Sequence, residues 1–151
     1  MRFHLPLLCF GAAGCLADVM PDTGPAQRER CVNEDSDPDH DVSFQTGILE
    51  GIFRGGGAGP GCSCHDPTQP APIGIEIGGL TLADYPTLRQ GGVNSGANIV
   101  VPGDACGSTI VMKVGDGPPF GSRMPFNGPP FLSAAEQQVI RDWIVEGALE
   151  N

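Results

Sequence analysis

Basic residues are scarce in this chain of 151 residues. Lys and Arg together number 8, against 18 Asp and Glu, so the formal net charge is -10 at pH 7. Nucleic-acid backbones are bound by clustered Lys and Arg, and this charge balance therefore argues against a nucleic-acid partner. Long apolar runs are missing as well, and no apolar segment of the sequence is long enough to span a bilayer.

Motifs of common enzyme classes are also missing. The sequence contains no Gly-X-Ser-X-Gly segment, which would indicate a hydrolase nucleophile. The glycine-rich segment at residues 51–61 lacks the Lys-Ser/Thr ending of a phosphate-binding loop. Few stretches alternate apolar and polar residues with a period of two, so we expect no sheet of any size and an all-α fold.

Glycine and proline are abundant, with 23 and 15 residues. Apolar residues nevertheless follow helical spacing in four segments, which we expect to form short helices separated by long loops. The last of these opens with a capping box from Ser133 to Glu136 and stops at Gly147. The first three predicted helices cover residues 42–53, about 83–90 and about 105–114.

The first residues are typical of an export signal. Arg2 precedes a short apolar run, and small residues then lead to Cys15. This ending resembles a bacterial lipoprotein lipobox, with Ala12 where leucine is usual. We expect residues 1–14 to be a signal peptide and Cys15 to carry a lipid that anchors the chain to a membrane. An ordinary signal cleaved near Ala17 is the alternative, and either one directs the mature protein to the periplasm or cell envelope, where disulfides persist.

Residues 15–41 are expected to be an acidic linker between this anchor and a domain at residues 42–151. Aspartate alternates with other residues from Asp35 to Asp41, a spacing that can wrap a calcium ion. The loop glycine and the closing glutamate of a calcium loop are lacking. A solvated linker is therefore the preferred interpretation.

The apolar core of this domain is expected to be small. The chain has 7 Phe, 1 Trp and 1 Tyr, and the predicted helices are short. The proline-rich loop at residues 115–132 is long, and such loops are uncommon in compact domains unless they serve a site. A large apolar ligand would complete the core, and haem is such a ligand.

Cys62, Cys64 and His65 form the motif that bears most on a cofactor. Cys-X-X-Cys-His marks covalent haem attachment, in which two thiols add to the haem vinyl groups and the histidine binds iron. Here the two cysteines are one residue closer together. Residues two apart on a helix point roughly 200° away from each other. We therefore expect Cys62 to be poorly aimed unless the loop at residues 59–61 redirects it.

Further segments follow this motif in a characteristic order. They are GILEGIF (47–53), CSCH (62–65), GGLTL (78–82), IVVPGDACGSTIVMKV (99–114), SRMP (122–125) and LSAAEQQVIRDWIVEGA (132–148). Together they resemble small monohaem c-type cytochromes of bacterial envelopes, from the first helix to the closing helix. The resemblance covers about residues 42–148 and implies a cytochrome c-like fold around one covalently bound haem c.

The resemblance also implies roles for individual residues. His65 is the expected proximal iron ligand, Met124 the distal ligand, and Cys64 and Cys62 the thioether positions. His/Met ligation fills both axial positions of the iron and raises its potential, which suits an electron carrier rather than an enzyme. The expected partners are redox proteins of the envelope, and an acidic surface would suit a basic partner.

Two neighbouring residues have alternative interpretations. Arg123 is expected either to pair with a haem propionate or to face solvent. Met112 is a rival iron ligand, but its place in a predicted helix beside Lys113 favours a packing role.

Cysteine counting leaves several pairings open. Cys31, Cys62, Cys64 and Cys106 remain once the cysteine of the signal and the lipidated one are set aside. If haem takes both Cys62 and Cys64, then Cys31 and Cys106 can form a disulfide. If haem takes only Cys64, three thiols remain and one of them must stay free. Without haem, two disulfides are possible in three connectivities.

Two alternatives to electron transfer follow from the same residues. The first is a haem-free lipoprotein module of the same fold, held by disulfides, with a binding or structural role in the envelope. The second is a zinc site formed by Cys62, Cys64, His65 and Cys106, although an oxidising compartment disfavours free thiolates.

Overall fold

The structure is a computed structural model that describes residues 31–56 and 61–151. Within these residues, short helices alternate with long loops and no strand is present, which confirms the all-α class. None of the helices in this part of the chain is long and apolar enough to cross a membrane. The predicted signal peptide, the lipidation at Cys15 and residues 16–30 of the predicted linker lie outside the described residues.

The first helix is a π-helix at Phe44–Phe53, inside the predicted range of 42–53. Its wide turns are visible in bonds from the N–H of Ile48 to Ser43 O at 3.3 Å and from the N–H of Arg54 to Leu49 O at 2.9 Å. The wide turn places neighbouring apolar residues on one buried face. The buried residues are Phe44, Ile48, Leu49, Ile52 and Phe53.

The closing helix, α4, runs over Ala134–Val145 and begins with the predicted capping box. The N–H of Glu136 donates to Ser133 Oγ at 3.2 Å, and the N–H of Ser133 donates to Glu136 Oε2 at 2.8 Å. The helix packs against the π-helix through the fully buried Trp143, whose ring centroid lies 5.5 Å from that of Phe44. The contact between the first and last helices closes the core of the described unit.

Three shorter α-helices lie between these two: α1 at Ile73–Gly78, α2 at Tyr85–Gln90 and α3 at Thr109–Val114. Two of them match predictions, although α3 begins four residues later than expected because residues 105–107 form a turn. The sequence did not predict α1, because two of its six residues are glycine and its isoleucines are two positions apart. Single turns of 3₁₀-helix at Ser63–His65 and Gly96–Ile99 were also not predicted.

The predicted boundary between linker and domain at residue 41 differs from the structure. The compact unit begins at Cys31, which forms a disulfide with Cys106. Ser36 donates from its backbone N–H and its Oγ to the Asp142 carboxylate at 3.0 and 2.6 Å. Residues 31–41 therefore belong to the domain, and the acidic composition that predicted a free linker did not reveal these long-range polar contacts.

Candidate functional site

The helices and the proline-rich loop enclose a cavity of about 320 Å³ with an apolar wall. Its wall is built by the end of the π-helix, the turn at residues 62–65, α1, α3, α4 and the loop before α4. Apolar members of the wall include Phe53, Ile73, Leu82, Ile110, Leu132 and Ile140. Ile77 and Phe126 also line the cavity while being 76% and 67% exposed, so they mark its rim. A concave apolar site of this size suits a small-molecule ligand or cofactor.

The cysteine motif forms part of this wall. Cys62, Cys64 and His65 all line the cavity, and both cysteines are free thiols. Cys62 precedes the 3₁₀ turn at Ser63–His65, with φ -119° and ψ 39°, so its conformation is not helical. The 200° rotation of a regular helix therefore does not apply across Cys62 and Cys64. Residues 59 and 60 of the loop that was expected to redirect Cys62 lie outside the described residues.

A specific contact holds Cys62 in place. Its backbone N–H donates to Phe53 O at 2.6 Å, which joins the motif to the end of the π-helix. Burial, followed by the nearby Cys64 and Glu136, raises the pKa of the Cys62 thiol to about 12. Cys62 is therefore a protonated thiol at neutral pH, packed against the apolar core.

His65 has one ring nitrogen engaged by the protein. Its Nδ1 lies 2.9 Å from Leu80 O, and this contact requires a proton on Nδ1 because the carbonyl oxygen can only accept. Burial lowers the pKa of His65, the hydrogen bond to Leu80 opposes this effect, and the charge of Lys113 adds to it. The result is a neutral imidazole whose Nε2 carries a lone pair, which is the form that binds metals.

The backbone of α1 lies very close to this imidazole. A Cβ atom placed on Gly74 would lie 2.6 Å from Cε1 and 2.7 Å from Nε2 of His65. Only glycine provides the room for this contact. The Leu80 carbonyl and Gly74 thus both confine the ring of His65.

Met124 lines the same cavity from the proline-rich loop and packs against the core. Its N–H donates to Lys113 O at 2.7 Å, so α3 holds the loop at this point. Lys113 adds two bonds from Nζ, to Phe120 O at 2.8 Å and to Ser122 O at 2.5 Å. Met112, the rival methionine, is not part of the cavity wall.

Arg123 is not brought to the cavity. Its Nε donates to Val114 O at 2.9 Å, its guanidinium pairs with Asp116, and it lies 4.3 Å from the ring centroid of Phe131. The pairing of Arg123 with a haem propionate, one of its two expected roles, stays a prediction. Lys113 is instead the cationic residue of the wall, which the sequence reasoning treated only as a neighbour of Met112.

The disulfide affects the zinc alternative directly. The Cys106 sulfur is bonded to Cys31 and is not available as a ligand beside Cys62, Cys64 and His65. Within residues 31–56 and 61–151, no three His, Cys, Asp or Glu side chains cluster in a way that could hold a metal ion. The four-ligand zinc site is therefore wrong for this structure.

Residues missed by the sequence reasoning complete the site. They are Gly74 and Leu80 beside His65, and Lys113 behind the methionine loop. The sequence carries no direct signal for Leu80, whose contribution is a backbone oxygen. Comparison of the chain with protein-family models, curated proteins and solved structures gave no match.

Proposed function

We propose that the protein is a cytochrome c-like electron carrier with one covalently bound haem. The observation that carries this proposal is a single apolar cavity whose wall includes the thiols of Cys62 and Cys64, the imidazole of His65 and the thioether of Met124. Cys62 and Met124 are about 60 residues apart in the chain, so the groups come from distant segments.

The residues present fit a haem. His65 offers a neutral nitrogen and Met124 a sulfur, and these two side chains would hold the iron of a haem. Free thiols on the same wall suit covalent attachment. The apolar lining suits a macrocycle, and the absence of a side chain at Gly74 allows α1 to approach the imidazole closely without overlapping it.

A haem bound by His and Met supplies one-electron transfer at its iron, at a raised potential. The chain's own residues prepare the site for this chemistry. Leu80 orients the His65 ring through Nδ1, and burial keeps that ring neutral. Lys113 holds the loop that carries Met124, and the apolar wall limits the access of water.

The surface of the protein suits a charged partner. The chain has a formal net charge of -10, which would speed encounter with a basic redox protein at low salt. Ile77 and Phe126 are exposed at the cavity rim, and they would contact a partner that docks there. The proposed partners are therefore electron-transfer proteins of the envelope.

We also propose that the protein works in the periplasm or cell envelope, held to a membrane by a lipid on Cys15. The disulfide between Cys31 and Cys106 supports an oxidising compartment. The lipid anchor rests on the sequence alone. Mass spectrometry of the membrane fraction, with Cys15→Ser as the comparison, would detect the lipid on the N-terminal peptide.

The proposal is tested by exporting the full chain in a bacterial host that matures c-type cytochromes. The expected result is a mass gain of one haem that survives denaturation, with the absorption bands of a reduced cytochrome. His65→Ala should lose these bands, whereas His40→Ala, a change at an exposed histidine, should keep them.

A colourless protein would contradict the proposal if a control cytochrome matures in the same host. The haem-free module would then be the better interpretation, with the Cys31–Cys106 disulfide as its constraint. Thiol counting under denaturing conditions would show whether Cys62 and Cys64 remain free in that protein.

A further inference from the structure

The imidazole of His65 is confined by two neighbours. Its Nδ1 donates to Leu80 O at 2.9 Å. A Cβ atom on Gly74 would lie only 2.6 Å from Cε1 and 2.7 Å from Nε2. Non-bonded carbon atoms prefer about 3.5–4.0 Å, so any side chain at this position would overlap the ring.

The same Cβ atom would meet the backbone of the cysteine motif. It would lie 2.8 Å from Cys64 O, and a backbone oxygen cannot rotate away as the end of a flexible side chain can. The close approach of α1 to the turn at Ser63–His65 therefore depends on glycine at residue 74.

Gly117 provides a comparison outside the cavity wall. A Cβ atom on Gly117 would have no other atom within 4 Å, and the backbone there has no positive φ that requires glycine. Gly117→Ala is therefore the same chemical change as Gly74→Ala without the contacts to His65 and Cys64.

We propose that Gly74 is a positioning residue for His65, because it keeps clear the space beside Nε2 while Leu80 holds Nδ1. The inference rests on the proposed function, in which Nε2 is the nitrogen that binds iron. A methyl group at residue 74 would force the ring away from Leu80 O or force α1 away from the cavity wall. Either movement would change how His65 meets a ligand in the cavity.

Gly74→Ala and Gly117→Ala, each in the full chain exported from the cytochrome-maturing host, form the matched pair. We expect Gly117→Ala to equal the wild type in haem content per chain, absorption spectrum and midpoint potential. Gly74→Ala should have a several-fold lower haem content, and its loaded fraction should have a shifted midpoint potential and altered absorption bands. Circular dichroism checks that both variants keep their helices. Equal potentials and spectra in both variants would overturn the inference.

A measurement on the wild type covers the case in which Gly74→Ala does not fold. In the reduced protein we expect a nuclear Overhauser effect between the Hα protons of Gly74 and Hε1 of His65, because the two groups are in contact. Its absence would overturn the inference while leaving haem binding intact. A colourless wild type would overturn the proposed function itself, and this outcome is recognised before any variant is compared.

Discussion

The backbone N–H of Cys62 donates to the carbonyl oxygen of Phe53 at 2.6 Å. This bond fixes the first cysteine of the shortened motif to the end of the π-helix, before the 3₁₀ turn begins. Gly61 permits the arrangement, because its φ of +68° is a conformation that favours glycine. Both thiols consequently line one cavity although only one residue separates them.

Cys62→Ser and Cys64→Ser should each remove one thioether and leave the other. The physical reason is that each thiol lines the cavity independently of the regular helical spacing. Alkylation followed by mass spectrometry of the haem-bearing peptide counts the bonds: two thioethers leave no alkylated cysteine in the wild type. Ser63→Ala, at the exposed residue between them, is the control and should change nothing. An alkylated Cys62 in the wild type would show that the motif attaches haem at Cys64 alone.

Met124→Ala should open an axial position and lower the midpoint potential, because an alanine has no sulfur to bind iron. Met112→Ala is the matched control, since Met112 lies in α3 and outside the cavity wall. Redox titration and the response of the spectrum to added imidazole measure the two effects. If both variants keep the wild-type potential, Met124 is a packing residue and another ligand must be sought.

Local patterns in the sequence were sufficient for much of the fold. The capping box at Ser133 and the apolar stripe around Trp143 depend on residues a few positions apart, and the structure has both. The π-helix kept the buried face expected of residues 42–53, although its wider turn was not predicted. The helix α1 was not predicted, because two of its six residues are glycine. The low helix propensity of glycine is overcome there only by contacts in the folded chain.

The site was less accessible to sequence reasoning because it depends on contacts between distant segments. The hydrogen bond from His65 to Leu80 joins residues 15 positions apart. Its acceptor is a backbone oxygen, which every type of residue has, so the identity of residue 80 does not indicate it. Arg123 is adjacent to Met124 in sequence, yet its guanidinium is held by Asp116. The need for glycine at residue 74 appears only once α1 is placed against the cysteine motif.

Removing the disulfide should destabilise the domain strongly. Cys31 and Cys106 are 75 residues apart, and the chain-entropy model gives about 4 kcal/mol for a loop of this length. Urea unfolding of the double variant Cys31→Ser/Cys106→Ser, compared with the wild type, measures the loss. A change of less than about 1 kcal/mol would mean that the unfolded chain gains little freedom when the bond is removed.

Ser36→Ala should also lower the free energy of unfolding, because Ser36 Oγ donates to the buried Asp142 carboxylate at 2.6 Å. Asp142 is only 6% exposed, and loss of a hydrogen bond to a buried charged group costs about 2 kcal/mol. Ser63→Ala again serves as the control in the same urea experiment. Equal stability of the two variants would show that the hydrogen bond from Ser36 Oγ to Asp142 does not stabilise the domain.

Glu146→Gln should stabilise the domain at neutral pH. Burial, with the nearby negative charges of Asp35, Asp41 and Asp142, raises the pKa of Glu146, and the hydrogen bond from the N–H of Val42 opposes this only in part. An acid whose pKa is raised on folding binds more protons in the folded state. As the pH rises from the ordinary pKa of a glutamate through the raised pKa of Glu146, the free energy of unfolding therefore decreases.

Glutamine removes the charge and can still accept the hydrogen bond from Val42. We expect Glu146→Gln to be more stable than the wild type at about pH 7, and expect this advantage to shrink at about pH 4, where the glutamate is itself protonated in the folded state. Glu150→Gln, at an exposed position, removes the same charge and should show a smaller difference between the two pH values. Urea unfolding of both variants at the two pH values makes the comparison. An advantage that is independent of pH would show that the carboxylate is not the source of the effect.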